Sequence, residues 1–72
     1  MLIEHKPIPA TLAQKNYIEI LANDITFSRI QRNAWISNEI GRDIHYLDEL
    51  TLDEASVIIT GLRQIKYGNE DA

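Results

Sequence analysis

The chain has 72 residues, an apolar content of 44% and a formal net charge of −4, with 7 Lys or Arg residues against 11 Asp or Glu residues. A chain this short excludes a second domain and a deep substrate cleft, and the absence of Cys excludes a disulfide scaffold and thiolate chemistry. Because no apolar run approaches the roughly 18 residues of a membrane span and the N-terminus lacks a signal-peptide pattern, we expect a cytoplasmic protein without membrane contact.

The first ten residues, MLIEHKPIPA, are predicted to form an extended N-terminal arm. Pro7 and Pro9 lack a backbone N–H, and each disfavours helix in the residue before it. Leu2, Ile3 and Ile8 are apolar, so we expect the arm either to lie on the rest of the domain or to pair with a second copy of the chain. The expected oligomeric state is therefore a monomer or a weak homodimer.

A first helix is predicted to begin after Thr11, because Gln14 completes a capping box with it. We expect the helix to end near Asn23 or Asp24, since Asn tolerates the left-handed conformation that closes helices. At 100° per residue its apolar side chains share one face. These are Ala13, Tyr17, Ile18, Ile20, Leu21 and Ile25.

A second helix is predicted between Ser28, which forms a capping box with Gln31, and Gly41, which is suited to a left-handed cap. Its position between two other helices makes it the expected centre of the fold. The apolar face predicted from the helical period consists of Ile30, Ala34, Ile36 and Ile40.

Trp35 points almost opposite to that face and has polar neighbours on the helix. An indole beside Arg32 is typical of a binding hot spot or of a platform on which bases stack. The other interpretation is that Trp35 packs against one of the two neighbouring helices, because Trp side chains are well buried on average.

Residues 41–50, GRDIHYLDEL, are predicted to form an irregular connection. We expect Ile44, Leu47 and Leu50 to lie under the helices, with the acidic residues facing outward. One tight helical turn fits this spacing better than a short strand does.

A third helix is predicted from Leu52 to about Lys66, because Thr51 and Glu54 form another capping box. Gly61 lies inside it at a cost of about 1 kcal/mol relative to Ala, unless close packing requires a residue without a side chain. The apolar face consists of Leu52, Ala55, Ile58, Ile59, Leu62 and Ile65.

Three helices with short connections predict an all-α fold, a small three-helix bundle with an extended N-terminal arm. The expected division is an arm over 1–10, a helical domain over 11–67 and a frayed C-terminus over 68–72.

Charge is unevenly distributed, because residues 29–42 hold three Arg and one Glu, whereas residues 43–54 hold five acidic residues and no Lys or Arg. The basic part indicates a surface that contacts an anionic or protein partner. The candidate contact residues are Lys15, Arg29, Gln31, Arg32, Asn33, Trp35 and Arg42.

No group of residues has the spacing of a catalytic or metal site. His45 has only Asp43 and Asp48 near it in sequence, and the acidic run DELTLDE lacks the order of a calcium-binding loop. Phosphate-binding glycine loops and nucleophile motifs are missing as well. We therefore expect a protein that is not an enzyme and that uses no metal and no cofactor.

Two stretches resemble a known module. ATLAQKNYIEILA is similar to AT-x-x-Q-x-x-YI-x-x-LA, and RNAWISNEIGRDIHYLDELTLDEASVIITGL is similar to RNA-x-IS followed by G-R-x-I-x-YLDELT-x-x-EAS-x-x-I. Together they resemble a small helical module of phage and prophage proteins of replication and single-strand-annealing recombination. The resemblance implies a setting in phage DNA metabolism and brings no catalytic residues with it.

These features support two functional hypotheses. In the first, the second helix contacts single-stranded or duplex DNA, or a phage or host replication or recombination complex, and its Arg side chains meet phosphates or base edges. In the second, the chain is a protein–protein adaptor anchored by Trp35 and Arg32, with the acidic segment steering a basic partner, or a small phage inhibitor of a host protein.

Overall fold

The computed structural model describes residues 7–68, which form an all-α domain of three helices. Helix α1 spans Leu12–Asp24, α2 spans Arg29–Ile40 and α3 spans Leu52–Tyr67, and one 3₁₀ turn at Leu47–Glu49 precedes α3. The predicted three-helix fold class is confirmed. None of these helices is long and apolar enough to cross a membrane.

Two predicted segments extend outside the described residues. Of the arm predicted over 1–10 only residues 7–10 are described, so the expected contacts of Leu2 and Ile3 lie outside them. Of the frayed end predicted over 68–72 only Gly68 is described, and it caps α3.

Side-chain capping starts each helix, as predicted. The hydroxyl oxygen of each N-cap residue accepts the backbone N–H three residues later at 3.0–3.1 Å, and the side chain at that later position accepts the N-cap N–H in return. Each such cap stabilises its helix by about 1 kcal/mol. The pairs are Thr11 with Gln14, Ser28 with Gln31, and Thr51 with Glu54.

The two helix ends that were predicted in detail differ in outcome. Gly41 closes α2 in the left-handed conformation with a φ of 76°, as predicted. Helix α1 ends at Asp24 as predicted, but the left-handed residue is Thr26, with a φ of 62°, and not Asn23. The reason is that the N–H of Phe27 reaches back to the carbonyl of Ala22 at 2.9 Å, a closing bond that requires the left-handed residue directly before Phe27.

The hydrophobic core forms where α3 packs along α1 and against α2. The prediction that α2 is central was therefore wrong, because α3 is the helix that makes the main contacts with both others. The inward positions predicted for the connection between α2 and α3 are confirmed. The buried side chains are Ala10, Ile18, Leu21, Ala22, Ile36, Ile44, Leu47, Leu50, Ala55, Ile58 and Leu62.

The predicted face of α2 was wrong at two positions. Ile36 is fully buried, but Ile30 is 81% exposed and Ala34 is exposed as well. The helix is rotated so that Trp35 packs against the core beside Ile36. Burial of the Trp35 indole removes more apolar surface from water than burial of Ile30 and Ala34 would, because these two lie at the edge of the predicted face.

The buried face of α1 is also narrower than predicted. Ile18 and Leu21 are buried as predicted, but Ile20 is 55% exposed and Ala13 is exposed. Ala22, which the pattern did not include, is buried instead. A single main partner, α3, covers only the stripe of α1 that faces it.

Residues 7–10 run beside residues 50–52, which lead into α3. The N–H of Ala10 donates to the carbonyl of Leu50 at 3.0 Å, and the N–H of Leu52 donates to the carbonyl of Ile8 at 2.7 Å. Pro9 lies between these two bonds, at a position where the pairing requires no backbone N–H. This part of the arm is extended and held on the domain.

Candidate binding groove

A groove of about 300 Å³ lies between the first turns of α1, the start of α2 and the connection at residues 45–48. It brings together three of the predicted contact residues, Lys15 from α1 and Arg29 and Arg32 from α2. The whole lining consists of Leu12, Lys15, Asn16, Glu19, Arg29, Arg32, His45, Tyr46, Leu47 and Asp48. The groove therefore holds three cations against two carboxylates.

One of these cations is already paired. Lys15 Nζ lies 2.6 Å from Asp48 Oδ1, and the Asp48 side chain is 81% exposed while that of Lys15 is 24% exposed. An ion pair with an exposed partner contributes only about 0–1 kcal/mol to stability, because water and salt screen it. An anionic ligand can therefore replace Asp48 as the partner of Lys15 at little cost.

The two arginines of the groove have no carboxylate within ion-pair distance among residues 7–68. Arg29 is exposed, whereas Arg32 is half-buried. Burial lowers the pKa of Arg32, and the carboxylate of Glu19 opposes that shift. The groove therefore offers two guanidinium groups to a phosphate or carboxylate.

Exposed apolar side chains lie in the same groove. Leu12 is 70% exposed and Tyr46 is 67% exposed, although both are large and hydrophobic. Tyr46 was not among the predicted contact residues, because the prediction for its segment considered only the apolar residues expected inside, the acidic residues and Arg42. The spacing of Ile44, Leu47 and Leu50 in fact leaves Tyr46 pointing outward, which is the signal that could have found it.

The backbone that carries Tyr46 is held by one carboxylate. Glu49 Oε2 accepts the backbone N–H groups of His45 and Tyr46 at 2.9 and 3.0 Å. The hydrogen bond from the His45 N–H is the main reason that the pKa of Glu49 is lowered. The aromatic ring thus projects from a fixed segment of the chain.

Two other predicted residues on α2 have structural contacts. The side chain of Gln31 caps the helix by accepting the N–H of Ser28 at 2.9 Å. Asn33 donates from Nδ2 to the carbonyl of His45 at 2.9 Å and accepts from Arg32 Nε at 3.1 Å. Asn33 therefore ties α2 to the segment that carries Tyr46 and orients Arg32.

Trp35 does not line the groove. Its ring packs over Gly61 of α3 and lies near Phe27, with ring centroids 6.5 Å apart and planes inclined by 51°. A side chain in this position joins α2 to α3. Of the two interpretations of Trp35, packing against a neighbouring helix is the one seen.

Arg42 also lies outside the groove. Its Nε and Nη2 donate to the two carboxylate oxygens of Glu54 at 3.0 and 2.7 Å, and Nη2 also donates to the carbonyl of Glu49 at 2.7 Å. The hydrogen bond from Arg42 is the main cause of the lowered pKa of Glu54. Arg42 thus fastens the connection to the start of α3.

These carboxylates lead to a prediction about pH. Glu49 and Glu54 have folded-state pKa values below the ordinary value of 4.5, so their stabilising contribution is complete above that pH and is lost as the pH falls through the folded-state values. We expect the thermal midpoint to drop on acidification below about pH 4.5. Glu49→Gln cannot ionise, so it should show a shallower drop in circular-dichroism melts. An unchanged pH profile in that variant would contradict the assignment.

A larger depression of about 760 Å³ borders the groove and shares His45 with it. It contains the exposed side chain of Ile30 and is lined mainly by neutral residues of α2 and of the connection. Within residues 7–68, no three His, Asp or Glu side chains are close enough together to hold a metal ion.

Comparison of the chain with protein-family models, with curated proteins and with solved structures found no match.

Proposed function

We propose that the chain is a non-enzymatic, cytoplasmic accessory module of phage-type DNA metabolism that contacts a nucleic-acid strand through the groove. The observation that carries the proposal is the meeting of Lys15, Arg29 and Arg32, from two helices, beside the exposed ring of Tyr46. Cations that track phosphates next to an exposed aromatic side chain are the usual components of a strand-binding surface. The resemblance to phage replication and recombination modules supplies the setting.

The acidic character of the whole chain limits the strength of this contact. Its net charge is −4, so the chain as a whole repels a polyanion while the three cations of the groove attract one. Binding should therefore be modest and confined to a few phosphates. Such a module would act beside other DNA-binding proteins, as an accessory domain does.

The test is a fluorescence-anisotropy titration of a labelled single-stranded oligonucleotide of about 12 nucleotides. With three cations engaged, log K should fall against log salt with a slope of about −2, so a fourfold rise in salt weakens binding by roughly 15-fold. The emission of Trp35 should stay unchanged, because its ring packs on Gly61 outside the groove.

Variants that remove a positive charge show which side chains contact the oligonucleotide. Replacing Arg29 and Arg32 together by Gln should reduce the salt slope by about 1.4, which is the share of two phosphate contacts. Arg63→Gln is the control for loss of one positive charge outside the groove, because Arg63 is an exposed arginine of α3 that lines a different depression. Salt-independent affinity, or an equal loss in the control, would show the proposal to be wrong.

A protein adaptor is the second candidate, and the exposed apolar side chains favour it. Ile30 is 81% and Leu12 is 70% exposed, and exposed apolar side chains rimmed by polar residues are typical of protein-interaction sites. In this case oligonucleotides do not bind at any salt concentration. Ile30→Asp and Leu12→Asp, which leave the core intact, should then abolish capture of the protein partner.

A further inference from the structure

We infer that Tyr46 is the base-stacking residue of the groove and that it makes the groove selective for single-stranded over duplex nucleic acid. The inference rests on the proposed function and deepens it, because three cations alone bind both kinds of strand through their phosphates. The aromatic ring adds a contact that only an unstacked base can accept.

Tyr46 is exposed on a segment whose backbone is held in place. Its side chain is 67% exposed, while Ile44 and Leu47 on either side of it are 3% and 7% exposed. The Glu49 carboxylate fixes the backbone N–H groups of residues 45 and 46. A Tyr ring on an anchored backbone has only two side-chain torsions left to order, so stacking costs little conformational entropy.

The other Phe, Trp and Tyr side chains among residues 7–68 lie outside the groove. Trp35 packs on α3, while Tyr17 and Phe27 are partly buried against the core. Tyr67 is 45% exposed, but it lies at the end of α3 with the Lys66 ammonium 5.1 Å from its ring. Among residues 7–68, Tyr46 alone combines an exposed ring with the cations of the groove.

Single strands and duplexes differ in how far their bases are accessible to an aromatic ring. In a duplex the faces of the bases are covered by their neighbours, whereas a single strand can turn a base outward onto an aromatic ring while its phosphates meet nearby cations. Stacking does not depend on base identity, because every base has a π-face. We therefore expect the groove to prefer single strands to duplexes, with little preference for base sequence.

The experiment measures binding of the same sequence as a single strand and as a duplex, at low salt, by fluorescence anisotropy. Tyr46→Ala should weaken single-strand binding by about 5- to 150-fold, the range found for loss of one base–aromatic stack, and should leave duplex binding unchanged. Tyr46→Phe keeps the π-face and should retain most of the affinity. Tyr67→Ala is the matched control and should bind like the unaltered chain.

The outcomes separate this inference from the proposed function. If the double Arg29→Gln, Arg32→Gln variant loses binding but Tyr46→Ala does not, the groove binds nucleic acid and the stacking role is overturned. Equal losses by Tyr46→Ala for single strand and duplex also overturn the selectivity. If neither strand form binds, the proposed function fails and this inference fails with it. Thermal melts of each variant show whether the fold is retained.

Discussion

Ile36→Ala is expected to lower the free energy of unfolding by about 2–4 kcal/mol, since it removes three carbon atoms from a fully buried site and leaves a cavity. Ile36 is the one residue of α2 that is buried, so the loss falls on the docking of that helix. A chain of this length has a total stability of roughly 4–11 kcal/mol, so the variant keeps only part of it. Urea unfolding followed by circular dichroism measures the change.

Ile30→Ala is the matched control for this experiment. It makes the same chemical change on the same helix, but Ile30 is 81% exposed, so the expected change is within about 0.5 kcal/mol. The helical period of the sequence placed both residues on one face, and the pair therefore tests the rotation of α2. Similar losses in the two variants would mean that α2 is oriented as the sequence pattern predicted.

Gly61→Val is expected to lower the free energy of unfolding by about 2 kcal/mol, and Gly61→Ala by about 1 kcal/mol. A Cβ atom at Gly61 would lie 2.7 Å from Trp35 Cη2 and 3.1 Å from Cζ2, which is closer than carbon atoms can approach without a shift. Overpacking of this kind costs about 1–3 kcal/mol, and the better helix propensity of Ala offsets up to about 1 kcal/mol of it. Equilibrium unfolding in urea gives both values.

Two further variants test whether contact with Trp35 causes the loss of stability. Gly68→Ala is the matched glycine control, because a Cβ there meets no atom within 4 Å, and it should leave stability nearly unchanged. In a Trp35→Leu background the clash is removed, so Gly61→Ala should become stabilising by up to about 1 kcal/mol. A destabilisation of the same size in both backgrounds would contradict the proposed contact.

The cations of the groove could be predicted from the sequence, but the other residues that line the groove with them could not. Arg29 and Arg32 were candidates because a chain with few cations carries most of its arginines in one segment, and Lys15 was added as a further phosphate contact. That Lys15 comes from another helix to meet them depends on docking, as does its ion pair with Asp48. The exposure of Tyr46 likewise depends on how its segment is held.

What the sequence determined by itself is the position of the three helices. Capping boxes at Thr11, Ser28 and Thr51 are local hydrogen bonds that need no distant partner, and the left-handed conformation of Gly41 is a property of glycine. Only the tertiary structure decided how the helices are rotated. The Trp35 side of α2 faces α3 because Gly61, 26 positions later, has no side chain and leaves space for the indole ring. A pattern within α2 alone cannot predict this contact.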